Sequence, residues 1–258
     1  MNELLRDYSS KEDLAKRTVR ELVLLVLNEL RITTIRQLYQ VICLDKAVSE
    51  KFVYRVVKKL VEKEYLDFIR IGNGRKYFLT EKGNQSISSF YVPVKNPDYH
   101  LNHFMQINDV LIDSLEITRQ QPRFSYVETE QRAFFEMRDG VDFEQVIAMN
   151  VPDFQLHFEE ESQTKRRFYF EIELSIKSKN RYLKEIFPWY REQLKSYPND
   201  VLFYVTGNPG IYVKLNQIRE YFINRYQYKE FERFYILPQA SFKEEYELIC
   251  SRIFSEND

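Results

Sequence analysis

The stretch SEKFVYRVVKKLVEKEYLDFIRIGNGRKYFLT, Ser49 to Thr80, decides how the first third of the chain folds. Ser49 can cap a helix, because its side-chain oxygen accepts one of the backbone N–H groups left over in a first turn. Behind it Phe52, Val53, Val56, Val57 and Leu60 recur at helical spacing as an inner face. Lys51, Tyr54, Arg55 and Lys58, at i, i+3, i+4 and i+7, make the outer face. Two strand-like runs follow, Tyr65 to Arg70 and Lys76 to Thr80, joined by Gly72-Asn73-Gly74. Asn and Gly tolerate the positive φ angles of a tight turn, so the pair of runs predicts a β-hairpin.

Upstream, Val19, Val23, Val26, Leu27 and Leu30 lie on one face of a first helix, and Thr34 can cap a second that buries Ile35, Leu38, Tyr39 and Ile42. Three helices followed by a hairpin resembles the winged helix-turn-helix family, over residues 12–83. The resemblance implies that the third helix enters the major groove of duplex DNA while the wing lies along the backbone or minor groove. Lys51, Tyr54, Arg55 and Lys58 would then face bases and phosphates, with Asn73, Arg75 and Lys76 on the wing. The competing reading is a solvated helix face, or a module for protein contacts.

Charge divides the chain. Residues 1–95 carry 18 Lys/Arg against 12 Asp/Glu, and residues 96–258 carry 20 against 27. A basic front fits phosphates, and an acidic back holds carboxylates for another purpose. Cys43 and Cys250 belong to no paired motif, which excludes a disulfide framework or a cysteine zinc site and fits a reducing compartment. No signal peptide is expected, and the most apolar run, Leu22 to Leu27, is too short to span a bilayer. A cytoplasmic protein without membrane insertion is the expectation. Residues 86–99, with Pro93 and Pro97 and no periodicity, read as a linker between a domain at 1–85 and another at 100–258.

The rear domain reads as a helix at 100–118 with Phe104, Ile107, Leu111 and Leu115 on one stripe. Strands near 124–130, 151–158 and 168–175 follow, then a helix at 181–197, a strand at 201–206, a helix at 213–226 and a strand at 234–237. That is an α/β pattern with a mixed central sheet, and α+β for the chain as a whole. Two strands carry candidate chemistry. Period two places Asp153, Gln155 and His157 on one face of the first, and Glu171 and Glu173 on one face of the second. If residues 159–167 return one strand beside the other, Asp153, Glu171 and Glu173 converge. Clustered carboxylates repel and at least one tends to hold a proton. A hard cation, Mg²⁺ or Mn²⁺, held by Asp153 and Glu171 would relieve this, and could lower the pKa of a bound water and stabilise a phosphate. Lys177 or Lys179 would position the nucleophile or neutralise developing charge. These are the parts of a phosphodiesterase site.

Pro152-Asp153 followed by Glu171-x-Glu173 resembles the restriction-endonuclease-like superfamily, whose pattern is Pro-Asp, a gap, then Asp/Glu-x-Lys. Glu173 stands at the usual lysine position, as it does in a minority of metal-dependent members. A narrower likeness spans roughly residues 12–240. It consists of the helices and hairpin, His103 five residues before Asn108-Asp109, Val151-Pro152-Asp153, and Phe170 to Ser175 leading into Lys177-Ser178-Lys179-Asn180-Arg181-Tyr182. This resembles the replication-relaxation family and the related conjugative relaxases of Gram-positive plasmids and integrative elements. The resemblance implies recognition of double-stranded DNA at an origin of transfer or replication and strand nicking at Asp153, Glu171 and Glu173. It also implies partners in a transfer complex, with homo-oligomerisation left open.

Other signals read more plainly. His100 and His103 have a metal-compatible spacing, but His103 is expected to order the junction by hydrogen bonding. His157 shares a face with Asp153 and is a candidate helper. Tyr182, Phe187, Trp189, Tyr190 and Tyr197 read mainly as core. The His-hydrophobic-His motif of the commonest relaxases is not present. Hydrolysis, a covalent tyrosine intermediate and binding alone all remain open, and a non-catalytic plasmid or phage regulator is the alternative function.

Overall fold

A computed structural model describes residues 1–8, 10–72, 74–89, 91–121, 123–138, 151–159 and 165–255. Asn73 of the expected hairpin turn and most of the connection between the two carboxylate-bearing strands lie outside the described residues. The chain packs as two compact units, Met1–Ile112 with Gln131–Asp139, and Asp113–Glu130 with Gly140–Asp258. The division therefore falls inside a helix and not at the expected linker. Residues 86–99 are not a free tether at their start: Ser89 Oγ donates to Asn28 at 2.8 Å, and the Tyr91 carbonyl accepts from Asn84 at 2.8 Å. Among the described residues no helix is long and apolar enough to cross a membrane.

The first unit begins with α1 (Lys11–Lys16), α2 (Val19–Leu30), β1 (Ile32–Thr33), α3 (Ile35–Cys43) and α4 (Glu50–Glu62). β2 (Leu66–Ile71), β3 (Gly74–Leu79) and α5 (Glu81–Ser86) follow. The expected caps are in place, with Thr34 and Gln37 forming a reciprocal capping box and Ser49 Oγ accepting from Phe52 N. β2 and β3 pair antiparallel from Leu66↔Leu79 to Ile71↔Gly74, and Gly72 takes the positive φ that the turn requires. β1 adds to β3, giving the order β1-β3-β2.

α2 departs from its expected one-sided stripe, because every residue from Leu22 to Leu30 is buried. Its second side is covered by elements remote in sequence. α6 (Leu101–Thr118) contributes its first part to this unit, and Asn108 Nδ2 donates to the carbonyls of Leu30 and Ile32 at the end of α2. Asp109 accepts from Gln37 at 2.7 Å. The Asn108-Asp109 pair thus fastens α2 to α3. α7 (Glu130–Arg138), which the sequence reading did not anticipate, supplies Arg132. Its guanidinium meets the fully buried Glu29 carboxylate at 3.0 Å and Asp7 at 2.9 Å, while Tyr8 donates to Glu29 at 2.7 Å. Burial and the Glu29 charge push the Tyr8 hydroxyl pKa up, so it stays a neutral donor.

The second unit is built on a sheet of order β4-β5-β6-β7-β8. The strands are β4 (Phe124–Thr129), β5 (Phe154–Glu159), β6 (Lys165–Ile172), β7 (Val201–Thr206) and β8 (Phe234–Pro238). β4, β5 and β6 run antiparallel, whereas β6, β7 and β8 run parallel, so the sheet is mixed as expected. β6 starts and ends about three residues earlier than the sequence pattern predicts, which leaves Glu173 just past its end. One face carries Tyr169, Leu202, Tyr204 and Phe234 beneath α8 (Phe187–Ser196) and α9 (Pro209–Tyr226). The other face packs Phe170 and Phe203 on Tyr246 of α10 (Phe242–Ser255). A π-helical turn, Tyr182–Ile186, leads into α8.

Arg132→Leu should be strongly destabilising, because it strands the Glu29 carboxylate in the core of the first unit. The expected loss is about 3–5 kcal/mol in urea denaturation. Adding Glu29→Gln, which keeps an acceptor for Tyr8 but removes the charge, should restore part of it.

Candidate functional site

Two places hold the residues that the sequence singles out. On the first unit, Lys51, Tyr54, Arg55 and Lys58 are all exposed along α4, while Val53, Val57 and Leu60 are buried. Phe52, expected inside, is instead 42% exposed, with the Arg55 guanidinium 6.0 Å from its ring centre. The exposed face therefore mixes cations with aromatic surface. On the hairpin, strand pairing sets Arg70 directly opposite Arg75, and Phe68 opposite Tyr77. Opposed residues share a face, so Arg75 lies with Phe68, whose ring its guanidinium covers at 4.5 Å. Arg75 also hydrogen-bonds Tyr77, a side chain close enough to Tyr54 of α4 to feel its charge. Lys76 points to the opposite face with Phe78 and is half-buried, so the wing cations do not act as one set. Arg70 was missed by the sequence reading, although alternation across the Gly72-Asn73 turn would have paired it with Arg75. Two like charges in directly opposed positions repel unless an anion is shared between them.

On the second unit, the carboxylates gather where the parallel strands end, the end of an open sheet at which ligands commonly bind. The β5–β6 pairing ends at Phe154↔Phe170, and just beyond it Asp153 N also donates to Phe170 O at 3.0 Å, which leaves Asp153 at the end of the ladder, near enough to Glu171 for its charge to act there. Asp153 is buried, and its Oδ2 accepts from Ile172 N at 2.6 Å. Glu171 Oε1 accepts from the Tyr190 hydroxyl. Glu173, 4% exposed, keeps a backbone bond to Val205 O at 2.9 Å, and its Oε2 accepts from Lys177 Nζ at 2.5 Å and Tyr182 Oη at 2.9 Å. Lys177 is thus the lysine at the site, whereas Lys179 is exposed at the start of the next helical turn.

The electrostatics are uneven. Burial, and then the negative charge of Asp153, push the Glu171 pKa up to about 8, with Lys177 and the Tyr190 hydrogen bond opposing the shift. Tyr204, paired with Glu171 across β6 and β7, is fully buried, and its hydroxyl has no hydrogen-bond partner. Burial and the charges of Glu171 and Glu173 hold it well above its ordinary range, so it remains protonated. A donor left unmade in the interior is costly and fits a small polar guest, a water or an ion-bound oxygen.

The three carboxylates influence one another, but among the described residues no group of three His, Cys, Asp or Glu side chains is arranged to hold a metal ion. Asp153 and Glu171 remain as a pair of hard oxygen donors, while Glu173 is taken up by Lys177 and Tyr182. The donor chemistry suits a hard cation, while the raised Glu171 pKa comes first from burial and only then from the charge of Asp153. His157 does not join them. Its Nε2 lies 2.8 Å from Glu128 and its ring stacks on Tyr126, along β4. Tyr182, Phe187 and Tyr190 are core, as expected, while Tyr197 is exposed with the Arg167 guanidinium 4.0 Å from its ring centre. Comparison with protein-family models, curated proteins and solved structures finds no match to the chain.

Because Glu171 is neutral in the fold above its ordinary pKa of 4.5, the folded chain holds a proton that the unfolded chain has lost. This contribution to stability is complete below about pH 4.5 and is lost as the pH rises toward about 8. Glu171→Gln should flatten the fall in Tm between pH 5 and pH 8 relative to the parent, and should raise Tm at the alkaline end. A slope identical to that of the parent would place the titrating group elsewhere.

Proposed function

We propose that this protein binds duplex DNA through α4 and the β2–β3 hairpin and cuts one strand at Asp153, Glu171, Glu173 and Lys177. The observation that carries the reading is the gathering of Asp153, bonded to Phe170 O and Ile172 N, beside Glu171 at the end of the β5–β6 pairing, with the Lys177 ammonium close by. The sequence resemblance names the DNA, an origin of transfer or replication of a mobile element, and the winged-helix and restriction-endonuclease-like identities of the two units belong to the same proposal.

Asp153 and Glu171 would hold Mg²⁺ or Mn²⁺, which when bound supplies an activated water and charge stabilisation for a phosphate. The chain's own groups do the rest. To serve as a ligand Glu171 would lose its proton to solvent and its hydrogen bond from Tyr190. Lys177, with no lysine at position 173, brings an ammonium from four residues later, so that positive charge is fixed beside the carboxylates and is available to a phosphate oxygen. The buried Tyr204 hydroxyl offers one more donor.

A second reading, a regulator that binds DNA without cutting it, is favoured by one observation: each carboxylate already has a partner inside the protein. The experiment that separates the two uses supercoiled DNA carrying the element's own origin, with Mg²⁺ or Mn²⁺. Asp153→Ala and Glu171→Ala should each abolish nicking and leave binding intact. Lys177→Ala should slow nicking. A wild type that neither nicks nor gains Tm with either metal is the regulator.

For the DNA-binding half, Arg55→Ala with Lys58→Ala in the full chain should weaken duplex binding strongly. If about six phosphates are contacted, the parent affinity should fall about a thousandfold between 50 and 200 mM salt. The double variant should show a shallower salt slope, and an unchanged slope would move the DNA surface away from α4.

A further inference from the structure

The second unit carries a cleft lined by none of the carboxylates. It is formed by α8, the end of α9 and the 3-10 turn Lys229–Arg233. Two adjoining cavities, of about 320 and about 560 Å³, share Arg191, Tyr226 and Tyr228 on their walls. The rings of Tyr226 and Tyr228 lie 5.3 Å apart at 22°, and Tyr228 lies 5.9 Å from Phe222 at 18°. Phe222 is also 5.9 Å from Tyr226, at 37°, so the three rings form a cluster that Phe222 roots in the core and in which Tyr226 is 48% exposed. The Arg191 guanidinium sits 3.7 Å from the centre of the Tyr228 ring.

The charge around these rings runs against the rest of the unit. Residues 96–258 are acidic in sum, yet the larger cavity is walled by Arg191, Lys195, Lys229 and Arg233 against Glu230 alone. Arg233 is a structural floor, donating to the carbonyls of Leu194, Tyr197 and Asp200. Arg191 is less committed. Its carboxylate neighbours, Glu192 and Glu230, are 3.3 and 3.7 Å away, and its buried Nε has no partner. Lys195 and Lys229 are exposed.

Aromatic faces beside cations are the combination that binds nucleic acid through stacking and phosphate contacts. A base in a duplex has both faces covered by its neighbours, so only an unpaired base can use such rings. We propose that this cleft binds single-stranded nucleic acid, with a nucleobase against Tyr226 and Tyr228 and phosphates on Arg191, Lys195 and Lys229. The cleft belongs to the second unit, the duplex-binding face of α4 to the first, and the proposal does not require the carboxylates to be catalytic. If they do nick, the released strand is its ligand.

The test uses the full chain with Arg55→Ala and Lys58→Ala, which weakens the contribution of α4 to binding. Fluorescence anisotropy with labelled oligo(dT) should show binding that Tyr226→Ala with Lys229→Ala weakens about tenfold or more. Both side chains are exposed, and an unchanged Tm verifies the fold. An abasic oligomer of equal length should lose less, since it retains phosphates but offers no base to stack. Photocrosslinking of 5-iodouracil oligomer should label Tyr226 or Tyr228. Asp153→Ala should bind oligo(dT) as the parent does, which separates this site from the cleavage reading. Absent binding, an affinity that Tyr226→Ala with Lys229→Ala leaves unchanged, an equal loss with the abasic oligomer, or crosslinks confined to other residues would each overturn the proposal.

Discussion

The register between β5 and β6 is the constraint on which the second unit's chemistry rests. Phe154 opposite Phe170 seals one face of the sheet with a pair of stacked rings, 4.3 Å between centres. A strand that slipped by one residue would turn those rings toward the other face, so hydrophobic burial holds the register firmly. Where that ladder ends, Asp153 bonds to Phe170 O and Ile172 N and comes close enough to Glu171 for the two acids to feel one another's charge. The Ile172 amide lends Asp153 a hydrogen bond, and the Tyr190 hydroxyl does the same for Glu171.

Lys177, one of the two lysines expected just past the strand, moderates that charge. Lys177 follows the end of β6 by a short irregular stretch and returns to Glu173, which is also held by Tyr182 at the start of the π-helical turn. The site is therefore a pair of acids next to an already neutralised third. This division separates Glu173, expected at the position of a lysine, from the two acids expected to hold a cation.

What could be read from residues alone followed distance along the chain. The Thr34 and Ser49 caps, the α4 faces and the Gly72 turn depend on neighbours within a few positions, and periodicity reveals them. The antiparallel association of β5 and β6 was also legible, because two alternating strands joined by a polar connection have few ways to associate. α7 was not. Its essential side chain is a buried arginine, which a hydropathy pattern reads as surface, and its partner Glu29 is more than a hundred residues away. The burial of α2 on all sides is hidden for the same reason. α10 is a different case: Phe242, Tyr246, Ile249 and Cys250 recur at helical spacing, so its apolar stripe was there to be read. The aromatic cleft gave no signal, since side chains of α8 meet the tyrosines of α9 and the following turn only in the folded unit.

The order of segments within the chain has a consequence for its synthesis. The first unit needs Arg132, yet β4 of the second unit is translated before it. α2 therefore emerges from the ribosome with a carboxylate and an apolar flank waiting for a helix roughly a hundred residues later. Neither unit is a continuous length of polypeptide, and no single cut or fusion point releases one whole. Such a chain matures as an interlaced pair, and recombination that exchanged its front segment alone would carry away an unfinished fold.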